Sequence, residues 1–314
     1  MALYLGFDTS NYTTSAAVYD AETGRYHNQG KLLSVPQGQL GLRQSDAVFA
    51  HLKALPEIVE GLSAFPLKDV RAIGVSTRPR SVEGSYMPCF TAGATTARVL
   101  AQALDVPCYA VSHQDGHIAA VLCAAGRLEL GQAPLLAWHL SGGTTELVLV
   151  KPGEDAAFQI EKIGGTTDIS AGQLIDRTGV ALGLRFPAGK ELDKLAESSA
   201  ATERYPVKLN GLYFSLSGME NKARQKQEQG QAAGDIARFV LATVADAVVR
   251  ATRTAQEQCG PLPVLLSGGV AGNRMLRAAM EPFFPICAPP EYSSDNALGA
   301  AVLAAIRRER GAKA

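Results

Sequence analysis

LYLGFDTSNYTTSAAVY, residues 3–19, is the stretch that decides the fold. The apolar runs 3–7 (LYLGF) and 14–19 (TSAAVY) flank a small polar turn, Asp8 to Thr13, which predicts a β-hairpin with a hydroxyl-rich tip. The same grammar returns at 135–151: LLAWHL, then Ser141-Gly142-Gly143-Thr144-Thr145, then ELVLV. Two strand–turn–strand units of one kind point to a duplicated lobe, although the shared stretch is short.

After each hairpin the pattern becomes mixed α/β. His51 to Leu62 has helical spacing, Val70 to Ser76 reads as a buried strand, Ala92 to Leu104 as a helix of small residues, and Pro107 to Val111 as a short strand. In the second half Asp235 to Gln256 places Ile236, Phe239, Val240, Val244, Ala247 and Val248 on one helical face. Val264 to Leu266 reads as a strand running into Ser267-Gly268-Gly269 and then a helix at Asn273 to Met280, whereas Gln225 to Gly234 is polar and reads as a loop or helix end. We expect a first lobe over 1–112, with the C-terminal helix 296–314 packing back on it, and a second lobe over 113–295.

Bulk composition narrows the classes. Of 314 residues 46% are hydrophobic and 19% charged, enough for a large core and unlike a disordered chain. Lys+Arg and Asp+Glu are 30 each, which argues against gripping nucleic acid by overall charge. The five scattered cysteines make no close pair and read as reduced core residues of a cytosolic protein. The start has no basic leader region, and the apolar stretch Ala297 to Ile306 is too short to span a bilayer, which takes about 20 helical residues. A soluble, cytoplasmic protein is expected.

Ser112 with Asp115 three residues on resembles a capping box, which starts a helix at His113. His113 and His117 then stand at i and i+4 on one face, with Cβ atoms about 6 Å apart, so two imidazoles can reach one divalent ion. The plainer reading is two histidines at an exposed helix start. A third ligand is usually a carboxylate. Asp295, in Ser293-Ser294-Asp295-Asn296, is a candidate whose alternative is an N-cap of the last helix.

Ser141-Gly142-Gly143 and Ser267-Gly268-Gly269 are turns whose backbone N–H groups can approach an anion, although Gly-Gly also makes ordinary tight turns. Neither fits the Walker loop or the dinucleotide fingerprint. Asp176 lies in a helix starting near Ser170 and reads either as a surface charge or as a ribose partner. Arg78-Pro79-Arg80 follows a buried strand and reads as a solvated loop or a phosphate contact.

Taken in order, these segments resemble the TsaD family of tRNA threonylcarbamoyl transferases, formerly labelled O-sialoglycoprotein endopeptidase or peptidase M22. The resemblance runs through Gly6-Phe7-Asp8-Thr9-Ser10, His113/His117, Ser141-Gly142-Gly143, Asp176 with Pro187-Ala188-Gly189, Phe214-Ser215-Leu216-Ser217-Gly218, Ser267-Gly268-Gly269-Val270 with Asn273-Arg274, and Ser294-Asp295-Asn296. It implies a two-lobed actin/sugar-kinase-like α/β fold with a nucleotide between the lobes. It also implies iron or zinc on His113, His117 and Asp295, and an adenine nucleotide or acyl-adenylate against His139, Leu140, Ser141, Gly142, Gly143, Asp176, Gly189 and Asn273. Gly268 and Gly269 join this set from their turn. The implied reaction passes a threonylcarbamoyl group from its adenylate to tRNA, with partner proteins of a threonylcarbamoyl-transfer complex and no membrane.

The chain departs from the family pattern on the acceptor side. Asn11, Tyr12 and Thr13 replace a Cys-Asp-Glu run, Thr144 a histidine, Arg78-Pro79-Arg80 a glycine-proline-glycine loop and Glu220 a lysine. Three functions stay open: a carbamoyl or acyl transferase with the family's acceptor or another, a non-catalytic nucleotide-binding partner protein, and a metalloendopeptidase. The last lacks the Glu of HExxH, since position 114 is Gln.

Overall fold

The computed structural model describes residues 1–10, 12–34, 42–153, 158–289, 292 and 297–311. Asn11, Ser293, Ser294, Asp295 and Asn296, singled out above, lie outside the described residues. The chain forms two compact units: one of Met1–Ala133, Lys151–Gln159 and Ser294–Ala314, the other of Pro134–Val150 and Ile160–Ser293.

The first unit is built on β1 (Leu3–Asp8), β2 (Thr13–Asp20), β3 (Tyr26–Leu32), β4 (Val70–Arg78) and β5 (Cys108–Ser112), in the order β3-β2-β1-β4-β5. β1 and β2 form the antiparallel hairpin; β4 and β5 add parallel strands on the other side of β1. The helices here are α1 (Gln44–Glu60), α2 (Phe90–Leu104), α3 (His113–Ala124) and, from the C-terminus, α9 (Leu298–Glu309). β1 is buried along its whole length, hence its unbroken apolar run. Leu3, Leu5 and Phe7 pack with Leu55, Ile58 and Ala97, while the other face meets α9. Burying each such large side chain contributes roughly 1.5–3 kcal/mol.

The close fit of α9 depends on missing side chains. Gly6 and Gly74 are partners in the β1/β4 register, and a Cβ on Gly6 would strike the Ala297 carbonyl and the Ala301 nitrogen. One on Gly74 would strike the Ala300 carbonyl, and one on Gly299 the Gly116 carbonyl of α3. This α3–α9 packing moves the expected boundary. The first unit runs on through α3 to Ala133 instead of ending at 112, so His113 and His117 belong to it, whereas the nucleotide candidates belong to the second unit. The segment 151–159 joins the first unit for a related reason: the Phe158 N–H donates to Asp115 Oδ1 at 3.3 Å.

The second unit holds β6 (Leu135–Leu140), β7 (Thr145–Pro152), β8 (Phe158–Thr166), β9 (Leu209–Asn210), β10 (Tyr213–Phe214), β11 (Val264–Ser267) and β12 (Ile286–Cys287). Their order is β12-β11-β6-β7-β8-β10-β9. Read as β8-β7-β6-β11-β12, it repeats the first sheet: a hairpin, a third strand beside its second arm, and two parallel strands beside its first. The duplication hinted at by two short hairpins is thus carried by topology.

Helices α4 (Ala171–Ala181), α5 (Gly189–Glu197), α6 (Ser217–Glu228), α7 (Ala233–Cys259) and α8 (Arg274–Met280) complete this unit. α7 buries Ile236, Phe239, Val240, Val244, Ala247 and Val248 in the core around the fully buried Trp138, whose indole N–H donates to Thr252 Oγ1 at 2.9 Å. The polar stretch at 225–234 is the last turn of α6, a turn, and the start of α7. Among the described residues no helix is long and apolar enough to cross a membrane. The cysteines are free, and burial pushes the Cys123 thiol up to about 12, which leaves it inert.

The motif 214–218 owes its form to Asp168. The Asp168 carboxylate accepts the Leu216 N–H at 2.8 Å, the Ser217 N–H at 3.1 Å and the Ser215 hydroxyl, so it caps α6 from outside the helix. Burial acts to raise its pKa, but the bonds from the serine hydroxyls and the two N–H groups outweigh burial and lower it from 3.8 to about 2. A carboxyl whose pKa falls on folding stabilises the fold above its ordinary value and stops doing so as pH drops through the folded value. Asp168→Ala is therefore expected to cost about 1 kcal/mol at neutral pH, the group being exposed and screened. The difference in melting temperature from the parent should close between pH 3.8 and about 2.

Candidate functional site

Parallel α/β sheets bind ligands beyond the carboxyl ends of their strands. In the first unit those ends are Asp8 on β1, Arg78 on β4 and Ser112 on β5. Ser112 caps α3: its hydroxyl accepts the Asp115 N–H at 3.1 Å, and the Asp115 carboxylate accepts the Ser112 N–H at 3.3 Å. The capping box places His113 on the first turn and His117 one turn on. Their Nε2 atoms lie 2.9 Å apart, with ring centroids separated by 4.3 Å.

The other nitrogen of His113 is also engaged. His113 Nδ1 lies 2.8 Å from Asp8 Oδ2, and Asp8 is 1% exposed. Burial acts to raise the Asp8 pKa, but the neighbouring His113 charge and hydrogen bonds from His113 and Ser10 outweigh burial and hold it below the ordinary carboxylate range. The ionised Asp8 accepts a hydrogen bond from His113 Nδ1–H, and in the neutral ring that tautomer has its lone pair on Nε2, the nitrogen facing His117.

This donor set fits a divalent ion. Imidazole nitrogens bind zinc at about 2.0–2.1 Å, so two of them 2.9 Å apart subtend about 90° at a shared ion. Among the described residues no third His, Cys, Asp or Glu joins the pair, and Asp8 touches the wrong nitrogen of His113 to serve as that ligand. The expected third ligand, Asp295, lies outside the described residues. Asp115 is not placed as a catalytic base. Besides Ser112 and Phe158, it accepts the Ser81 hydroxyl at 2.8 Å, all of which makes it a buried anchor. Arg78-Pro79-Arg80 folds against the start of α3, with the Pro79 carbonyl accepting the Gln114 N–H at 3.1 Å.

In the second unit the corresponding strand ends are Leu140 on β6 and Ser267 on β11, and here the nucleotide candidates collect. His139 and Ser267 are register partners, with His139 Nδ1 3.1 Å from Ser267 Oγ. Gly268 follows with φ +88°, and a Cβ there would strike the Leu140 carbonyl. The 141–144 turn closes on itself: the Ser141 N–H donates to the Thr144 carbonyl at 2.8 Å, and the Thr144 N–H to Ser141 Oγ at 3.1 Å. Gly142 and Gly143 are exposed, and a Cβ on either, or on Gly269, would meet none of the described residues beyond its chain neighbours within 4 Å. The glycine backbones thus form an open rim, with N–H groups that an anionic ligand could approach.

The helices are pinned to this rim. Ser170, the cap of α4, donates its hydroxyl to the Gly142 carbonyl at 2.7 Å. Asp176 on α4 accepts the Ala188 N–H at 2.8 Å and so fixes the residue before Gly189, where α5 begins. Asn273 caps α8 through Oδ1 to the Leu276 N–H at 2.9 Å, and its Nδ2 donates to Asp193 Oδ1 at 2.7 Å. An amide has two donors and two lone pairs, so Asn273 keeps one of each for a ligand.

Three residues of consequence escaped sequence reading. Asp8 sat in a quoted motif, and its signal was a lone carboxylate ending an apolar strand. Asp168 and Asp193 gave no signal, being acidic residues among others until their partners are known. Of the acceptor-side departures, Glu220 on α6 is paired with Arg177 on α4 at 2.9 Å.

Paired sheets of this order, with both candidate sites at carboxyl strand ends, define a protein of the actin-like ATPase and sugar-kinase fold. Solved structures agree. The chain is similar to component A of the (R)-2-hydroxyglutaryl-CoA dehydratase of Acidaminococcus fermentans (TM-score 0.56, 12% identity, covering 99% of this chain and 100% of that one). It is likewise similar to a ROK family glucokinase from Streptomyces griseus in complex with glucose and AMPPNP (0.53, 14%, 98% and 100%). Full-length HypF in its phosphate- and nucleotide-bound form matches all of this chain over 56% of its own (0.62, 15%). The sequence profile of TsaD, tRNA N6-adenosine threonylcarbamoyltransferase, matches residues 38–302, and the chain belongs to that family.

Proposed function

We propose that this protein is a metal- and nucleotide-binding transferase that passes a threonylcarbamoyl or related carbamoyl group from an adenylate to an amine acceptor. The observation that carries the reading is the meeting of the Ser141-Gly142-Gly143 and Ser267-Gly268-Gly269 turns at the ends of neighbouring parallel strands, in a chain of the TsaD family. The open glycine rim suits the phosphate of an adenine nucleotide, and we assign His139, Leu140, Asp176, Gly189 and Asn273 to the same ligand. His113 and His117, with Asp295, would hold iron or zinc. Such an ion supplies a Lewis acid that orients and polarises the acyl donor.

The reaction forms a bond from the acceptor nitrogen to the carbamoyl carbon, breaks the bond from that carbon to the AMP oxygen, and releases a proton from the amine. No side chain is assigned as its base. The family acceptor is an adenosine amine of tRNA, and we retain it as the first substrate to test. Tyr12, Thr13, Thr144 and Glu220 change the charge where the acceptor would approach, and fields at such places are worth several kcal/mol in a transition state. Glu220 pairs with Arg177, which a lysine at that position would repel, so this substitution is accommodated within the second unit.

The test is to incubate the metal-loaded protein, alone and with a cell extract supplying partner proteins, with threonylcarbamoyl-adenylate and unmodified tRNA. Threonylcarbamoyladenosine in the tRNA is the expected product. Its absence, with nucleotide and metal both bound, would overturn tRNA as acceptor.

A further inference from the structure

We infer that Asp8 is a positioning residue for metal binding: it holds His113 as the Nδ1–H tautomer, so that the Nε2 lone pair faces the same point as Nε2 of His117. The inference rests on the metal reading above and deepens it. Asp8 ends β1 and His113 begins α3 after β5, so the contact joins strand ends on either side of β4. The contact is 2.8 Å, and the Asp8 side chain is 2% exposed. The carboxylate is itself oriented, because Oδ1 accepts both the N–H of Ser10, at 2.8 Å, and its hydroxyl. With Oδ1 taken by Ser10, only Oδ2 faces the ring. Phe90 stands edge-on to the same imidazole, with ring centroids 6.1 Å apart, and further limits its rotation.

A carboxylate behind a ligating histidine fixes the tautomer and ring orientation, and its loss typically costs about 10–100-fold in metal affinity. The Asp8→Asn variant separates shape from tautomer. Two Ser10 donors require the amide oxygen at the Oδ1 position, so the amide NH2 falls opposite His113 Nδ1. That nitrogen must then accept, and the ring proton moves to Nε2, where a metal would bind. The change is isosteric and leaves His113 and His117 in place.

Two readouts test this on the full chain. Cobalt(II) titration, followed by visible absorption, is expected to show binding to the parent and about 10–100-fold weaker binding to Asp8→Asn. Nitrogen-15 NMR of the histidine-labelled apoprotein should show Nδ1–H at His113 in the parent and Nε2–H in the variant. Equal cobalt affinity, or an Nε2–H tautomer in the parent, would overturn the role of Asp8. A parent that binds no cobalt would overturn the metal reading and this inference with it. Should Asp8→Asn fail to fold, the tautomer in the parent still decides.

Discussion

A protein carrying both His113→Ala and His117→Ala is expected to emerge from purification without bound divalent metal, while the parent carries it. The two Nε2 atoms lie 2.9 Å apart at the start of one helix, and Asp8 fixes the first ring from behind. Removing both donors leaves at most one carboxylate ligand, which cannot hold a transition ion against water and buffer. The fold should survive, because Ser112 and Asp115 form the capping box that starts α3 and neither histidine belongs to it. Inductively coupled plasma mass spectrometry on parent and variant decides the matter. Undiminished metal in a folded double variant would remove the site.

The second large effect is expected at Gly268. Its φ of +88° and ψ of 162° lie in a region open essentially to glycine, and a β-carbon would run into the Leu140 carbonyl at the end of β6. Gly268→Val therefore combines backbone strain of about 1–3 kcal/mol with a steric clash of similar size. The relief available is to push the 267–269 turn away from β6, which spoils the glycine rim. We expect a lower melting temperature together with loss of adenine nucleotide binding by calorimetry. Gly272→Ala, outside the rim, is the control, because a Cβ there meets none of the described residues beyond its chain neighbours within 4 Å and its φ is unexceptional. Parent-like stability and nucleotide affinity in Gly268→Val would contradict the role given to this turn.

What could be read in the sequence follows from how locally each feature is encoded. Hairpins 3–19 and 135–151, the capping box at Ser112 and the apolar face of α7 are written in neighbouring residues, and the structure has them all. The edge strand β3, with its half-exposed Tyr-His-Asn-Gln pattern, has no apolar run to betray it. The short β9 and β10 are ordered by pairing, not by composition. The unit boundary was missed for a similar reason. Packing of α9 on α3 joins residues near 116 to residues near 299, and only the glycines at those positions hint at it.

The same limit applies to the sites. Spacing brings His113 to His117 within one helix, and it shows the two glycine turns, but it cannot connect position 8 to 113, 176 to 188 or 193 to 273. The first and last of those links need the order of the strands, and the middle one needs the turn that joins α4 to α5. Residues that act through another residue are therefore invisible until the fold is known, and Asp8 is the clearest example.

The measurement that bears most directly on the proposed function is made in cells depleted of their own threonylcarbamoyl transferase and supplied with this chain. Threonylcarbamoyladenosine in their tRNA is then quantified by mass spectrometry. Restored modification is the predicted result, and it would mean that Tyr12, Thr13, Thr144 and Glu220 are compatible with the family reaction. No restoration from a folded, metal-loaded protein would contradict transfer to tRNA and direct the adenylate chemistry to another acceptor.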